Sequence, residues 1–425
     1  MRRFHWILLG IAAAAVTIRL LYVYVLSPDV RGVGDWYYFH WQANLIASGH
    51  GFIEPFSYMF GGESFPSASH PPLWTVLLAG VSKLGFTHPH AHRAVGAVVG
   101  GATIFVLGLL GRRVAGERVG LVAAFIGTAY PLFIAADGSL MSESLYGLLV
   151  ALTLLGAYRL HDRGDRTSAV LLGLAIGFAC LVRSEALFFL PLLVVPVAWR
   201  LGRDRAWNIG LACLAALIVV TPWTIRNWSV FGRPVVISTN GPAVLKGANC
   251  AKTYHGPDIG YWRLDCIGFT HKDVRNEAKT GERFTKEALG YMGDHITELP
   301  PVLAVRVLRT WDLYQPARMV AFAEGRSLNA ERAGIVVYYG LMLLAIWGVV
   351  VLRRRREPLW ILLMPAVMVT IVSLGWYGVP RFRHAFEIPL VVLASVALVD
   401  LVPRLAGAWR RRRARPPAVA GGARP

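Results

Sequence analysis

Acidic and aromatic side chains that could take part in a transfer reaction lie just after the first apolar segment of the chain. Asp35 follows that segment, and Tyr38 stands among the aromatic residues beside it. A carboxylate at a membrane surface could take a proton from an incoming hydroxyl group, and a positioned general base typically contributes about 10²–10⁴ in rate. Aromatic rings suit the membrane interface and also stack on sugars. The alternative role for Asp35 is to cap the helix that follows it.

Arginine residues are the second group of candidates, because a guanidinium group binds a phosphate through two parallel hydrogen bonds. Arg183 lies in the hairpin Arg183-Ser184-Glu185 between two short apolar segments, and Arg381 and Arg383 precede the last apolar segment. The short segments predict that the hairpin lies below the membrane surface, where an arginine needs a partner. That partner could be a phosphate or Glu185 itself. Arg226 ends another apolar segment and could simply reach the surface.

These residues depend for their positions on helices that cross a membrane. Of the 425 residues, 55% are hydrophobic and only 16% are charged, whereas a soluble protein carries about 25% charged residues. A bilayer requires helices of about 20 apolar residues, since hydrocarbon satisfies no backbone polar group. The sequence therefore predicts an all-α membrane protein of about ten transmembrane helices. The predicted spans are 4–26, 94–111, 119–136, 139–158, 167–182, 186–199, 206–223, 333–352, 359–377 and 385–402.

Short clusters of arginine between the apolar segments predict the orientation of the chain. They contribute much of the formal charge of +19, and such clusters keep loops in the cytoplasm. The positive charge therefore indicates topology, and we expect no nucleic-acid partner. With both termini in the cytoplasm, the non-cytoplasmic ends of the spans carry Asp35, Glu143, Arg183, Arg226, Arg381 and Arg383. Residues 71–86 are too short to be a span and are expected along the outer membrane surface.

The predicted spans divide the chain into four regions. Residues 1–223 form an N-terminal transmembrane module with a first long outer loop at 27–93, and residues 224–332 form a second long outer region. Residues 333–405 hold the C-terminal spans, and residues 406–425 form a basic cytoplasmic tail. Cys250 and Cys266 lie in the second outer region, where their spacing predicts a disulfide in an oxidising compartment. Two free thiols are the alternative.

Signals for a metal or a cofactor are weak. His88, His90 and His92 alternate along the chain, but a helix would separate their rings, and no cysteine or clear carboxylate completes a ligand set. The sequence contains no glycine-rich phosphate loop, no dinucleotide fingerprint and no Ser-His-Asp arrangement. We therefore expect neither a metal site nor a cofactor.

Several short motifs, taken in order along the chain, resemble a known superfamily of membrane enzymes. An Asp shortly after the first span is followed by a Tyr, an Ala and Gly-x-Gly, and later by His70-Pro71-Pro72-Leu73. This pattern resembles the GT-C superfamily of glycosyltransferases, and more narrowly the protein O-mannosyltransferases, aminoarabinose transferases and related polyprenyl-phosphate-sugar enzymes. Trp36 stands where the protein O-mannosyltransferases have Glu, and this departure puts protein mannosylation in doubt. Further matching segments are 142–145, 173–175, 181–185, 221–227 and 379–383.

The resemblance implies a GT-C-like bundle with long extracytoplasmic loops 1 and 4, and an inverting sugar transfer at the outer face of the plasma membrane. The expected partners are a polyprenyl-phosphate-linked sugar donor, a glycan, lipid or protein acceptor, and the lipid bilayer. Asp35 takes the role of catalytic base, and Glu143, or less well Asp137, that of a second acidic residue. The donor phosphate is expected at Arg183, Arg381 and Arg383, and other parts of the substrates at Tyr38, His70 and Arg226.

A transporter or flippase of a lipid-linked or anionic substrate is the alternative function. Transporters are often built from inverted repeats around broken helices, and the sequence shows no such repeat. The two long outer regions favour chemistry outside the cytoplasm.

Overall fold

The structure is a computed structural model that describes residues 2–27, 29, 34–270, 273–320 and 324–413. In this part of the chain the regular structure is helical, and the one departure is an isolated bridge between Ile53 and Pro66. The prediction of an all-α protein is therefore confirmed. Of the basic tail predicted at 406–425, the residues from 414 onward lie outside the described part.

The N-terminal half contains most of the long helices. Its first helix ends in a wider π-helical turn at Tyr22–Leu26. After the helix that ends at Cys180, the chain makes a 3₁₀ turn at Ser184–Phe188 and a π-helical turn at Leu190–Val194. The helices are α1 (Arg2–Leu21), α2 (Asp35–Ala47), α3 (Pro55–Gly61), α4 (Leu73–Lys83), α5 (Pro89–Ala115), α6 (Glu117–Ala129), α7 (Pro131–Asp137), α8 (Glu143–Arg163), α9 (Arg166–Cys180), α10 (Val195–Trp199) and α11 (Arg205–Phe231).

The C-terminal half begins with short helices and ends with long ones. A 3₁₀ turn at Pro380–Arg383 leads directly into the last helix. The helices are α12 (Asn240–Gly247), α13 (Ala251–Tyr254), α14 (Glu277–Asp294), α15 (Leu299–Thr310), α16 (Pro316–Val320), α17 (Leu328–Arg354), α18 (Trp360–Gly375) and α19 (His384–Arg413).

Each of the ten predicted spans falls on helix, but the count of ten is not confirmed. Among the described residues, six stretches are long and apolar enough to cross a bilayer, and the bent pair α6 and α7 would be a seventh. The remaining predicted spans fall on α9, on residues 184–199 and on α18, which are apolar but of 10–17 residues. At 1.5 Å per residue, such helices are shorter than the hydrocarbon core of about 30 Å.

Proline and glycine explain where helices bend and where they pack closely. Pro131 follows Tyr130, whose backbone is extended, and α6 and α7 meet there at an angle of 62° because proline offers no N–H to continue the helix. A Cβ atom at Gly173 would collide with the backbone of Ala212. Glycine at this position therefore lets α9 and α11 approach backbone to backbone, as is common between membrane helices.

Two predicted boundaries in the second outer region differ from the structure. Helix α11 continues past 223 as far as Phe231. The sequence of residues 282–311 predicts a mostly helical, amphipathic stretch broken at Pro300-Pro301, whereas the structure breaks it earlier, between α14 and α15. The two prolines instead lie in the first turn of α15, where the missing N–H groups would have no intrahelical partner in any case.

Candidate active site

Asp35 is the first residue of α2, and the structure rules out one of the two roles predicted for it. The N-cap is Gly34, with no side-chain cap, so the alternative that Asp35 caps the helix is wrong. Its carboxylate instead accepts a hydrogen bond of 2.8 Å from Arg381 Nη2, and its other oxygen lies 3.6 Å from His70 Nε2. The Asp35 side chain remains 30% exposed. It is therefore paired and still partly exposed.

Arg381 lies at the centre of an ionic cluster. It belongs to the 3₁₀ turn between α18 and α19. Besides Asp35, its Nη1 donates to Glu324 Oε2 at 2.8 Å, and its Nε lies 2.9 Å from Glu143 Oε1. One guanidinium group thus contacts carboxylates from three separate parts of the chain.

Glu143 connects Arg381 to the second arginine of the cluster. It begins α8, and Arg183 Nη1 donates to its Oε1 at 3.2 Å. Arg183 Nε donates to Glu185, as the sequence-based alternative for this hairpin proposed. The Glu143 side chain is only 1% exposed. Its second oxygen, Oε2, is buried without a hydrogen-bond partner among the described residues, which leaves a buried acceptor within the cluster.

The pKa of Asp35 is lowered by its surroundings. Burial alone would raise it, but the charges of His70 and Arg381 outweigh burial and hold the pKa of this carboxyl below its ordinary value. Arg381 is the permanent cation of the two, because a guanidinium group does not lose its proton, whereas burial lowers the pKa of His70. Burial and the neighbouring Asp35 raise the pKa of Glu324. Asp35 is therefore the better anion of this carboxyl pair.

Tyr38 and His70 form the wall of the site next to Asp35. The Tyr38 ring packs edge-on against the His70 ring, with centroids 4.7 Å apart. The Tyr38 hydroxyl lies 2.8 Å from Ser67 Oγ and accepts a hydrogen bond of 2.6 Å from Gln42. Tyr38 is thus fixed by its own loop, and its ring positions His70 beside Asp35.

Arg226 and Glu277 hold this loop in place from the second outer region. Arg226 donates to the carbonyl oxygens of Ser67 and Phe52, both at 2.9 Å. Glu277, at the start of α14, accepts hydrogen bonds from Ser67 Oγ at 2.6 Å and from the N–H of Ala68 at 2.8 Å. Arg226 was predicted to bind substrate, and the structure places it on backbone of the first outer loop. Sequence analysis did not identify Glu277.

Arg383 and Asp137, both candidates from the sequence, belong to other ion pairs. Arg383 is buried, and its ionic partners among the described residues are Asp312 and Glu387. Asp137 pairs with Arg19 inside the bundle. The structure therefore brings Asp35, Glu143, Arg183 and Arg381 together and leaves Arg383 in a second cluster.

Glu324 reaches the cluster from the second outer region and was not singled out in the sequence. An isolated glutamate in a loop has no periodicity and no motif to mark it. The region that carries it is braced internally, since Cys250 and Cys266 form a disulfide with Cα atoms 6.1 Å apart. Nearby, the buried Arg306 donates to the carbonyl oxygen of Ala248 at 2.7 Å.

The alternating histidines do not converge on one point. His88 accepts a hydrogen bond from the N–H of His90 at the start of α5. His92 lies on α5 with its Nδ1 3.0 Å from His40 Nδ1. Within the described ranges no group of three or more His, Cys, Asp or Glu residues is arranged to hold a metal ion.

Comparisons with known proteins support the resemblance seen in the sequence. The family model of dolichyl-phosphate-mannose-protein mannosyltransferase matches residues 69–225. The archaeal oligosaccharyltransferase AglB from Archaeoglobus fulgidus, in complex with an inhibitory peptide and a dolichol-phosphate, superimposes with a TM-score of 0.55 at 16% identity, over 100% of this chain and 52% of that one. The protein has the GT-C fold. The match to residues 69–225 includes Glu143 and Arg183, whereas Asp35 and Arg381 lie outside it.

Further comparisons show a likeness of fold and do not extend to activity. The apo form of the same archaeal oligosaccharyltransferase matches with a TM-score of 0.54 at 15% identity, over 96% of this chain and 52% of that one. This chain thus spans about half the length of the oligosaccharyltransferases that it resembles. ArnT from Cupriavidus metallidurans bound to undecaprenyl phosphate gives a TM-score of only 0.41 at 15% identity, over 94% and 80% of the two chains. No curated protein matches this sequence significantly.

Proposed function

We propose that this GT-C protein is a membrane glycosyltransferase that moves a sugar from a polyprenyl-phosphate donor to a hydroxyl-bearing acceptor, with inversion at the anomeric carbon. The observation that carries the proposal is the ionic cluster itself. It joins a partly exposed carboxylate, Asp35, directly to Arg381, and the buried Glu143 links Arg381 to Arg183. A base and cationic groups for a leaving phosphate therefore lie in one connected site.

The electrostatics of the cluster suit this reaction. The lowered pKa of Asp35 keeps the carboxylate ionised at neutral pH, so it can accept a proton. The guanidinium groups of Arg183 and Arg381 are fixed in place by carboxylates before any substrate arrives. Fixed cations next to a leaving group stabilise the charge that develops in the transition state without further reorganisation.

The proposed step balances atoms and charge. The acceptor hydroxyl gives its proton to Asp35, and its oxygen forms a bond to the anomeric carbon of the sugar. The bond between that carbon and the phosphate oxygen breaks, and its electron pair leaves with the polyprenyl phosphate beside Arg183 and Arg381. Because the acceptor attacks from the side opposite the phosphate, the anomeric configuration inverts. A lipid phosphate is a good leaving group, so the step requires no nucleotide cofactor.

Glu143 is assigned a role in orienting substrate. Its Oε1 is occupied by the two arginines, whereas Oε2 is a buried acceptor without a partner in the described structure. An unpaired buried acceptor costs free energy, and a sugar hydroxyl that donates to Oε2 would remove this cost. Such a contact would orient the sugar between Asp35 and the arginines.

The donor class is supported by the names of the similar proteins. The matching family model is that of dolichyl-phosphate-mannose-protein mannosyltransferase, and the archaeal structure of similar fold was solved with a dolichol-phosphate. We extend this lipid-phosphate chemistry to the present protein and leave the sugar open. The acceptor is a hydroxyl-bearing glycan, lipid or protein.

The arginine clusters support an outward-facing site in the plasma membrane. Arg112 and Arg113 lie in the last turn of α5, and Arg353 and Arg354 lie in the last turn of α17. Such clusters favour the cytoplasmic side, which supports a position of the ionic cluster on the other side. The disulfide between Cys250 and Cys266 fits an oxidising compartment there.

The test uses purified protein in nanodiscs with a panel of radiolabelled polyprenyl-phosphate sugars and an envelope extract as the source of acceptors. We expect wild type to transfer label and Asp35→Asn to lose at least about 10² of the rate, the contribution of a positioned base. Asp162→Asn, which removes a carboxylate paired with Arg113, is the matched control and keeps full activity.

Each alternative result has a distinct meaning. Wild-type turnover in Asp35→Asn would leave the enzyme class intact and remove Asp35 as the base. Failure of wild type to consume any donor in the presence of extract would contradict the proposed function. Movement of labelled lipid between leaflets without consumption would identify a flippase instead.

A further inference from the structure

Arg183 is held by two carboxylates that differ in how firmly they are fixed. Glu143 is 1% exposed and is also in contact with Arg381. Glu185 has a side chain that is 18% exposed, and its ion pair in the described structure is with Arg183. Glu185 lies two residues after Arg183, in the 3₁₀ turn at the tip of the hairpin. Rotation of its side chain alone could therefore break its contact with Arg183.

The described cluster contains more carboxylates than arginines, and this excess of negative charge disfavours an added phosphate. Four carboxylates surround the two guanidinium groups, and the nearby Arg326, which also acts on Glu143, forms an ion pair with Glu331. The described members of the cluster are the cations Arg183 and Arg381 and the carboxylates Asp35, Glu143, Glu185 and Glu324. A further anion in this partly buried place would be repelled by like charges at short range. Departure of one carboxylate would relieve this repulsion and open a place for a phosphate group.

We propose that Glu185 is a built-in competitor for the donor phosphate, which occupies Arg183 in the empty site and moves away when the lipid phosphate binds. The inference rests on the proposed function and adds to it how the phosphate site is opened. The sugar-bearing donor is a phosphodiester with one negative charge, as is a carboxylate. Its exchange for Glu185 leaves the net charge around Arg183 unchanged.

The surroundings of Arg183 favour movement of Glu185 over movement of the arginine. The guanidinium carbon lies 5.7 Å from the centroid of the Tyr146 ring on α8. It lies 5.6 Å from the centroid of the Phe382 ring, in the 3₁₀ turn before α19. Together with Glu143, these rings hold the guanidinium group in position. The Glu185 side chain is already 18% exposed, so a rotation that frees Arg183 can carry its carboxylate further out of the cluster.

The same exchange would act on the product. After transfer, the lipid carrier is a phosphomonoester, which carries about −1.5 to −2 charges at neutral pH if its second pKa resembles that of other phosphomonoesters. Return of Glu185 to Arg183 would then help to expel it. Removal of the Glu185 charge should therefore tighten binding of the carrier phosphate.

The experiment compares the dissociation constants of undecaprenyl phosphate and of undecaprenol, which lacks the phosphate, for protein in nanodiscs. The variants are Glu185→Gln, Glu185→Ala and Arg183→Gln, with Glu282→Gln as a matched control that removes an exposed paired carboxylate. We expect both Glu185 variants to bind undecaprenyl phosphate about tenfold more tightly than wild type, which corresponds to about 1.4 kcal/mol. Undecaprenol binding and the Glu282→Gln variant should be unchanged.

The outcomes separate this inference from the proposed function. If Arg183→Gln abolishes the preference for the phosphate while Glu185→Gln and Glu185→Ala bind it no more tightly than wild type, the competitor role is wrong and the phosphate site stands. If wild type binds undecaprenyl phosphate no better than undecaprenol and no variant changes this, the phosphate site of the proposed function is itself refuted. Equal tightening for both lipids would also overturn the inference, since it would indicate a general opening of the bundle.

Discussion

Replacement of Glu143 by Gln tests whether the buried carboxylate is the counter-ion that holds two arginines together. Its Oε1 lies 2.9 Å from Arg381 Nε and 3.2 Å from Arg183 Nη1. At an effective dielectric constant of about 20, each contact corresponds to about 5 kcal/mol of Coulomb attraction. Desolvation offsets much of this, and loss of one partner from a buried pair costs about 3–5 kcal/mol. We expect Glu143→Gln to lower the free energy of unfolding by this amount.

A double-mutant cycle gives the sharper measurement. Unfolding of wild type, Glu143→Gln, Arg183→Gln and the double variant is followed in detergent under increasing denaturant. Because the double variant removes an arginine together with its counter-ion, it should be more stable than the sum of the single effects predicts, by about 1–3 kcal/mol. Glu117→Gln, which removes an exposed carboxylate paired with Arg112, should be nearly neutral. Strict additivity, or wild-type stability of Glu143→Gln, would refute this account of the cluster.

Two further predictions concern other buried charges and pH. A Cβ atom at Gly100 would lie 2.6 Å from Arg19 Nε and would collide with the Asp137 carboxylate, so Gly100→Ala should break this buried pair and cost about 3–5 kcal/mol, seen as a melting temperature lower by several degrees. Burial, with the charges of neighbouring histidines, lowers the pKa of His40 to about 4. Since an unfolded histidine titrates near 6.5, the unfolded chain binds the proton first, and His40 by itself should lower stability by about 3 kcal/mol as the pH drops from 6.5 to 4. In His40→Gln this pH dependence should be smaller.

Matched controls make these two predictions specific. Gly10→Ala adds the same methyl group on α1. Apart from the adjacent residues and the backbone of α1 itself, no atom of the described residues lies within 4 Å of that methyl group, so this variant should leave the melting temperature unchanged. His50→Gln removes an exposed histidine of the same outer loop and should leave the pH dependence as in wild type. If Gly100→Ala melts like Gly10→Ala, the Arg19–Asp137 pair does not support the bundle. If His40→Gln and wild type lose stability in parallel between pH 6.5 and 4, another group is responsible.

The sequence by itself determined the class of the protein and the end of the bundle where its charged groups collect. A bilayer accepts only segments that satisfy their own backbone hydrogen bonds, so apolar length predicts helix wherever it occurs, and each predicted span is indeed helical. The same pattern placed Asp35, Glu143, Arg183 and Arg381 at one side before any contact was known. Short motifs then indicated the GT-C fold.

Only the tertiary structure decided which charges are partners. Arg381 and Arg383 are two residues apart in the same turn, yet one contacts Asp35 and the other Asp312, because successive side chains of a turn point in different directions. Glu324 joins the cluster from a distant loop, a pairing that no local spacing encodes. The count of ten complete spans is likewise not confirmed, since apolar composition shows that a helix avoids water but does not show whether lipid or other helices cover it. The choice of partners depends on packing between elements that are far apart in the chain.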